Sequence, residues 1–177
     1  MICKAYKTSP TAAVQVLVGT PPFDLVIERE GAIGNVTRLR RQHTLWGETY
    51  NHEEYEEHRP VIPRHPAENN IDTYISISRA VRDIQPTGLF TDGSKTSAGT
   101  GNAFCPISDG KVMHVWKRRL AHYNSVYQAE LLAISAALKY SAEVEGAPTQ
   151  IYSDSASSLA AIVNERSRSS LVQEIRR

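Results

Sequence analysis

The spacing of apolar positions changes along the chain, and the first 42 residues carry helical spacing. Residues 9–20 form one apolar stripe that ends at Gly19, a residue well suited to a helix exit. Residues 23–42 form a second stripe with charged positions between the apolar ones. We therefore predict a mainly helical segment over residues 1–42.

Regular spacing is lost between residues 43 and 70, and residues 43–87 as a whole are predicted to form a connector. An acidic run at residues 53–58 is followed by three prolines, which predicts a connector with little core of its own. Within it, residues 71–78 alternate apolar and polar side chains. This alternation predicts a strand, and a short amphipathic segment is the alternative.

Three strands in succession are predicted from residue 88 onwards. Residues 89–91 read as a strand that runs into a turn at Asp92-Gly93-Ser94. Residues 99–105 form a second strand, and a hairpin turn leads to a third over residues 111–120. Together they predict an antiparallel meander.

The remaining segments alternate between helix and strand. Strong helix formers fill residues 127–140, and Ser125 before them is a suitable N-cap. A fourth strand at residues 150–152 and two further helices follow. Since a strand that follows a helical crossover returns parallel, we expect the fourth strand to pair with the first. The fold class is therefore α/β with a mixed sheet.

Composition and charge restrict the class of protein. The 177 residues fit one domain or one domain plus part of another, and the net charge of +1 gives no general affinity for polyanions. The two cysteines form no Cys-x-x-Cys motif, and no apolar run reaches the roughly 20 residues of a membrane span. No signal peptide is visible, so we expect an intracellular protein, nuclear or cytoplasmic, without a membrane partner.

Three carboxylates are the candidate functional residues. Asp92 follows the first predicted strand, Glu130 lies one turn into the long helix, and Asp154 follows the fourth strand. Separately, each has an ordinary explanation as a turn, surface or cap residue. The strand–helix–strand order would bring them together, and such a cluster repels itself unless it binds a hard cation such as Mg²⁺.

The motifs around these carboxylates resemble a known family. Asp92-Gly93-Ser94, Ala129-Glu130-Leu131 and Ser153-Asp154-Ser155 are similar to the three acidic blocks of type 1 ribonuclease H. Residues 127–134 most resemble the ribonuclease H region of non-LTR (LINE-like) retrotransposon polyproteins, which also carry a reverse transcriptase. Residues 4–42 look like the stretch that follows the polymerase core in those elements, and residues 88–177 look like the nuclease domain.

This resemblance implies a function and a cofactor. It implies endonucleolytic hydrolysis of the RNA strand in an RNA–DNA hybrid, with Asp92, Glu130 and Asp154 as catalytic, metal-binding residues. It implies two Mg²⁺ ions, with Mn²⁺ as an alternative, and no small-molecule cofactor. Proofreading exonucleases and integrases of related fold order their acidic residues differently, and both are disfavoured.

The resemblance also suggests where the substrate is bound. The backbone at Gly93 and Ser94 is a candidate reader of 2′-hydroxyl groups, which distinguish RNA from DNA. Members of the family often carry an amide side chain three or four residues before the helix glutamate, where this chain has Val126 and Tyr127. Asn124 could replace that amide, or could simply be a turn residue. The remaining candidates for phosphate contacts are Lys117, Arg118 and Arg119. A charged, exposed strand edge is the alternative for these three.

The chain departs from the family pattern at its end. The family has a further strand, a flexible histidine and a fourth aspartate on a last helix, and the sequence stops at Arg177 before any of them. We therefore expect a domain truncated at its C-terminus. The alternative function is a catalytically inactive retroelement remnant that at most binds nucleic acid, and the sequence leaves the oligomeric state open.

Overall fold

A computed structural model describes residues 10–61, 70–77 and 85–177. Packing divides the chain into two compact units, Met1–Glu57 and His58–Arg177. The functional division into residues 1–42, 43–87 and 88–177 stays a prediction.

In its described residues, 10–57, the first unit contains two α-helices and a β-hairpin. Helix α1 is Thr11–Val18 and helix α2 is Phe23–Thr37, and strands β1 (His43–Leu45) and β2 (Glu48–Tyr50) pair antiparallel. Gly19 closes α1 in the left-handed conformation, as predicted. Helix α2 ends five residues before the predicted position at residue 42, and the chain reaches a positive φ of 52° at Arg40.

The predicted strand at residues 71–78 is wrong in its described part. Ile71–Thr73 forms a 3₁₀ turn, because both the amide and the hydroxyl of Thr73 donate hydrogen bonds to the Asn70 carbonyl. Ile71 and Ile75 pack against the core of the second unit. The apolar positions therefore serve packing without joining a sheet, and residue 78 lies outside the described residues.

The second unit is built on a mixed five-stranded sheet, which confirms the predicted fold class. Its strands are listed here in chain order: β3 (Gly88–Thr96), β4 (Gly99–Ser108), β5 (Lys111–Val112), β6 (Trp116–Leu120) and β7 (Ile151–Ser153). The spatial order is β5-β4-β3-β7, with β6 also paired to β4. Strand β7 runs parallel to β3 as predicted, and the other pairings are antiparallel.

Two details of the predicted meander are corrected. Asp92-Gly93-Ser94 forms no turn, because β3 stays paired with β4 as far as Thr96. The predicted third strand is divided into β5 and β6. Three residues, 113–115, stand opposite only Cys105 and Pro106, and proline has no N–H to donate to the ladder.

The described residues of this unit also form three α-helices: α3 (Val126–Glu143), α4 (Ala156–Val163) and α5 (Ser170–Ile175). Ser125 caps α3 as predicted, and Gln128 completes a reciprocal capping box. Leu131 and Ile134 of α3 pack against α4 and α5, whereas Ala137 packs against β3 and β4. Within the described part of the chain, no helix combines the length and apolar character needed to cross a bilayer.

Candidate metal centre

The acidic side chains meet at the free edge of β3. Strand β7 pairs with β3 only from Leu89 to Thr91, so the edge of β3 is no longer covered from Asp92 onwards. Asp154 directly follows β7. The Ser155 amide donates to the Ser153 hydroxyl, which holds the backbone at Asp154 in a tight turn before α4.

Helix α3 reaches the same edge because Gly93 has no side chain. A Cβ at this position would lie 2.6 Å from the Glu130 nitrogen and 2.9 Å from the Ala129 carbonyl carbon. The helix backbone therefore rests directly on the backbone of β3. This close approach places Glu130 beside Asp92.

The three predicted carboxylates come together as one cluster. One carboxylate oxygen from each of Asp92, Glu130 and Asp154 lies within 4.8 Å of the other two. Glu130 is buried, with 6% of its surface exposed, while Asp92 and Asp154 are exposed. The cluster thus has one fixed, buried member and two members that face solvent.

The electrostatics of the cluster favour a cation. Burial raises the pKa of the Glu130 carboxyl, a hydrogen bond from the Gly93 backbone opposes the shift, and the charges of Asp154 and Asp92 add to it. Oε2 of Glu130 is buried and has no hydrogen-bond partner among the described residues. Such an atom costs stability unless something binds it, and three carboxylates form the hard oxygen donor set that Mg²⁺ prefers. The residues therefore fit a site for a hard metal cation.

Of the two residues predicted to contact 2′-hydroxyl groups, Gly93 is buried and Ser94 is accessible. Gly93 is buried beneath α3, and its backbone donates to the Glu130 carboxylate. Ser94 is exposed and pairs with Gly101 of β4. Of this pair, Ser94 has the surface that a substrate can reach.

The other candidate substrate residues lie on and after β6. The side-chain amide of Asn124 donates a hydrogen bond to the Ala121 carbonyl. The backbone carbonyl of Asn124 accepts hydrogen bonds from the Lys95 ammonium group and the Thr100 hydroxyl, an arrangement typical of a turn residue. The three basic side chains of β6 are all exposed, and they are Lys117, Arg118 and Arg119.

Asn102 of β4 is a structural residue that sequence reasoning missed. It is 4% exposed and lies beneath α3. The surrounding groups fix its amide orientation, in which the nitrogen donates to the Arg118 carbonyl at 3.1 Å and the oxygen accepts from the Ala133 amide at 3.2 Å. Asn102 therefore connects β4 with β6 and with α3. A polar residue at a buried position of an alternating strand is the only signal that could have identified it.

The capping box at the start of α3 has two members, Ser125 and Gln128. The sequence prediction includes the Ser125 N-cap and lacks the reciprocal bond of Gln128. The Ser-x-x-Gln spacing before an apolar run is a sufficient signal for it. Because Glu130 follows directly on this first turn, the box fixes the end of the helix that carries the carboxylate.

The mixed sheet, its helices and the acidic cluster define a ribonuclease H-like domain of nuclease type. Comparison with protein families agrees, since the family described as reverse transcriptase-like matches residues 88–177, slightly more than half of the chain. The chain belongs to this reverse transcriptase-like family. No curated protein shows significant similarity to it.

Proposed function

We propose that residues 88–177 act as a metal-dependent endonuclease that cleaves the RNA strand of RNA–DNA hybrids, as type 1 ribonucleases H of non-LTR retrotransposons do. The observation that carries this proposal is the meeting of Asp92, Glu130 and Asp154 within 4.8 Å in a ribonuclease H-like domain. Asp92, Glu130 and Asp154 are proposed to hold the metal.

Each carboxylate has a separate task in this proposal. Glu130 is the fixed ligand, since it is buried and its carboxylate accepts a hydrogen bond from Gly93. Asp92 and Asp154 are exposed and can bring oxygen atoms to an ion that also contacts a phosphate. When bound, magnesium supplies Lewis-acid stabilisation of phosphodiester hydrolysis and lowers the pKa of a coordinated water.

The face of the sheet that carries Asp92 offers a path for nucleic acid. Asp92 of β3 pairs with Ala103 of β4, and Ala103 pairs with Lys117 of β6. These side chains point to one face, opposite to Gly93 and α3. At about 4.8 Å per strand spacing, Lys117 lies about 10 Å across the sheet from Asp92.

The next row repeats this arrangement. Ser94 pairs with Gly101, and Gly101 pairs with Arg119. Gly101 and Ala103 are thus small residues that separate Asp92 and Ser94 on one side from Lys117 and Arg119 on the other. This arrangement supports the binding of a polyanion that presents one phosphate to the carboxylates and other phosphates to Lys117 and Arg119. Arg118 points to the opposite face of the sheet.

The test is cleavage of an RNA–DNA hybrid labelled on its RNA strand, with single-stranded RNA, double-stranded RNA and double-stranded DNA as parallel substrates. Asp92→Asn removes one ligand charge and should lower the hybrid cleavage rate by at least about 100-fold, the upper end of what loss of a supporting group costs. EDTA should abolish cleavage, and added Mg²⁺ or Mn²⁺ should restore it.

The matched control is Asp109→Asn, which makes the same change at an exposed hairpin position of the same sheet. Asn tolerates the positive φ of 49° found there, so the control should keep the parent rate. Equal rates for Asp92→Asn and its parent would remove Asp92 from the site. A parent that binds the hybrid without cleaving it would support the inactive remnant instead.

A further inference from the structure

The pairing of β3 with β7 ends directly before two of the three carboxylates. It comprises three residue pairs, and the last of them joins Thr91 to Ser153. Asp92 follows the first of these residues, and Asp154 follows the second. The separation of the two carboxylates therefore depends on how firmly the strands are joined at this last pair.

Thr91 makes a side-chain hydrogen bond across this end of the pairing. Its hydroxyl donates to the Tyr152 carbonyl at 3.1 Å, and the residue is only 6% exposed. Because water is largely excluded there, the bond is stronger than the same bond would be at the surface. Tyr152 precedes Asp154 by two residues, so the hydroxyl fixes the backbone of β7 close to the point where Asp154 leaves the sheet.

The backbone between β7 and α4 is itself held in a defined turn. The Ser153 hydroxyl accepts a hydrogen bond from the Ser155 amide at 3.2 Å. The Asp154 carbonyl accepts one from the Ala156 amide at 3.1 Å. The Ser155 hydroxyl donates at 2.8 Å to the hydroxyl of Ser158, which is fully buried. Since these bonds connect the turn to α4, a displacement of β7 would move Asp154 with it.

The Asp154 carboxylate depends on this backbone for its position. Its side chain forms no hydrogen bond with any described residue, whereas the Glu130 carboxylate accepts one from Gly93. Asp154 is also exposed, so packing restrains its side chain little. The backbone is therefore what keeps this carboxylate within reach of a cation that Asp92 also binds.

We propose that Thr91 is a positioning residue of the metal centre, whose hydroxyl sets the separation of Asp92 and Asp154 by joining β3 to β7. The inference rests on the proposed function, because it explains how that site keeps its geometry. Removing a group that orients metal ligands typically lowers metal affinity by about 10–100-fold. Phe90 still stacks on the Tyr152 ring, with centroids 4.9 Å apart, so the loss should be about 10-fold, the lower end of this range.

The experiment measures Mg²⁺ affinity by calorimetry, without nucleic acid, in the parent and in two variants of Thr91. Thr91→Val removes the hydroxyl and keeps the size of the side chain, and it should weaken Mg²⁺ binding by about 10-fold. Thr91→Ser keeps the hydroxyl and loses a methyl group, and it should bind nearly as tightly as the parent. If Thr91 acted through packing alone, the order would be reversed, because serine leaves a cavity and valine does not.

The matched control is Thr100→Val, which removes a similar hydroxyl from β4. Thr100 is 2% exposed, and its hydroxyl also donates to a backbone carbonyl, that of Asn124, at 3.0 Å. It pairs with Lys95, three residues beyond Asp92 on β3. Thr100→Val should therefore lose a similar amount of stability in urea denaturation and keep the parent affinity for Mg²⁺. Equal losses of Mg²⁺ affinity in the two valine variants would contradict a specific role of Thr91.

A second measurement needs no metal. Amide hydrogen exchange in EDTA follows the turn at Ser155 and Ala156, whose amides are hydrogen-bonded. Thr91→Val should raise both exchange rates severalfold, and Thr100→Val should leave them unchanged. The Met113 amide, which donates to the Pro106 carbonyl elsewhere in the sheet, should keep its rate in both variants.

Two outcomes would overturn the inference: a Thr91→Val protein with the measurable Mg²⁺ affinity of the parent, or unchanged exchange in the turn. Failure of the proposed function gives different results. If the parent binds Mg²⁺ but cleaves no substrate, weaker binding by Thr91→Val still supports the inference. If the parent binds no Mg²⁺, the proposed metal centre fails, and exchange in EDTA alone decides whether Thr91 positions Asp154.

Discussion

Two amphipathic helical regions of this chain look alike in sequence and differ in burial. Helix α1 buries no residue, and α2 buries three near its end, Ala32, Val36 and Thr37. Helix α3 buries six, among them Glu130 and Leu131, against a sheet and two further helices. An apolar stripe therefore predicts a helix, but only a partner element determines how much of the stripe is removed from water.

This difference has consequences for where stability resides. Leu17 of α1 is 85% exposed and Leu131 of α3 is fully buried, although both lie in apolar stripes. The chain has two tryptophans, one in each compact unit: Trp46 in the first and Trp116 in the second. Variants with a single tryptophan can therefore report the unfolding of each unit separately.

The largest expected effect is that of Leu131→Ala. Truncating this buried side chain removes apolar contacts with α4 and α5 and leaves a cavity, which should lower the free energy of unfolding by about 2–5 kcal/mol. The measurement is urea denaturation followed by Trp116 fluorescence. Leu17→Ala is the matched control and should change the stability reported at Trp46 by less than about 0.5 kcal/mol. Similar losses in both variants would contradict the comparison.

A smaller effect of opposite sign in the two units is expected for glycine substitutions. Gly93→Ala places a methyl group against the backbone of α3 and should destabilise the second unit by about 1–3 kcal/mol. Gly34→Ala in α2 meets nothing within 4 Å and should stabilise the first unit by about 0.5–1 kcal/mol. Denaturation read at Trp116 and Trp46 respectively tests both signs.

The Gly93 variant also tests the metal site. If contact between β3 and α3 positions Glu130, Gly93→Ala should weaken Mg²⁺ binding, measured by calorimetry under conditions in which the variant is still folded. Ser94→Ala, which changes an exposed neighbour on the same strand, is the control for this measurement. A Gly93→Ala protein that binds magnesium as tightly as the parent would contradict the positioning role.

The sequence predicts the sheet and the acidic cluster because local signals agree there with tertiary structure. The motifs that contain Asp92, Glu130 and Asp154 lie where strand, helix and strand alternate, and this topology brings them to the same edge of the sheet. Turn chemistry misled the prediction at Asp92-Gly93-Ser94, because the glycine serves helix–strand contact instead of a bend. At Ile71 the alternation of apolar residues reflected packing onto α3–α5 and no strand pairing. The same alternation arises from strand pairing and from packing of this kind, so the sequence alone does not distinguish them.

The smallest effect concerns pH and belongs to the second unit alone. Burial raises the pKa of Glu130, so the folded unit holds this proton more tightly than the unfolded chain. The resulting stabilisation is present below the ordinary glutamate pKa and is lost as pH rises through the raised value. In EDTA, Glu130→Gln should flatten this part of the stability profile at Trp116 and leave the Trp46 profile unchanged.

Glu174 supplies a control with the opposite sign. A hydrogen bond and the charge of Lys139 lower the pKa of Glu174, so its contribution is present above the ordinary value and is lost as pH falls through the lowered one. Because this ion pair is exposed, Glu174→Gln should change the profile only slightly.

Magnesium makes the pH test of Glu130 sharper, because the metal binds the deprotonated cluster. With magnesium present, the parent should gain stability as pH rises, and Glu130→Gln should gain much less. Equal gains in both proteins would mean that Glu130 is not a ligand.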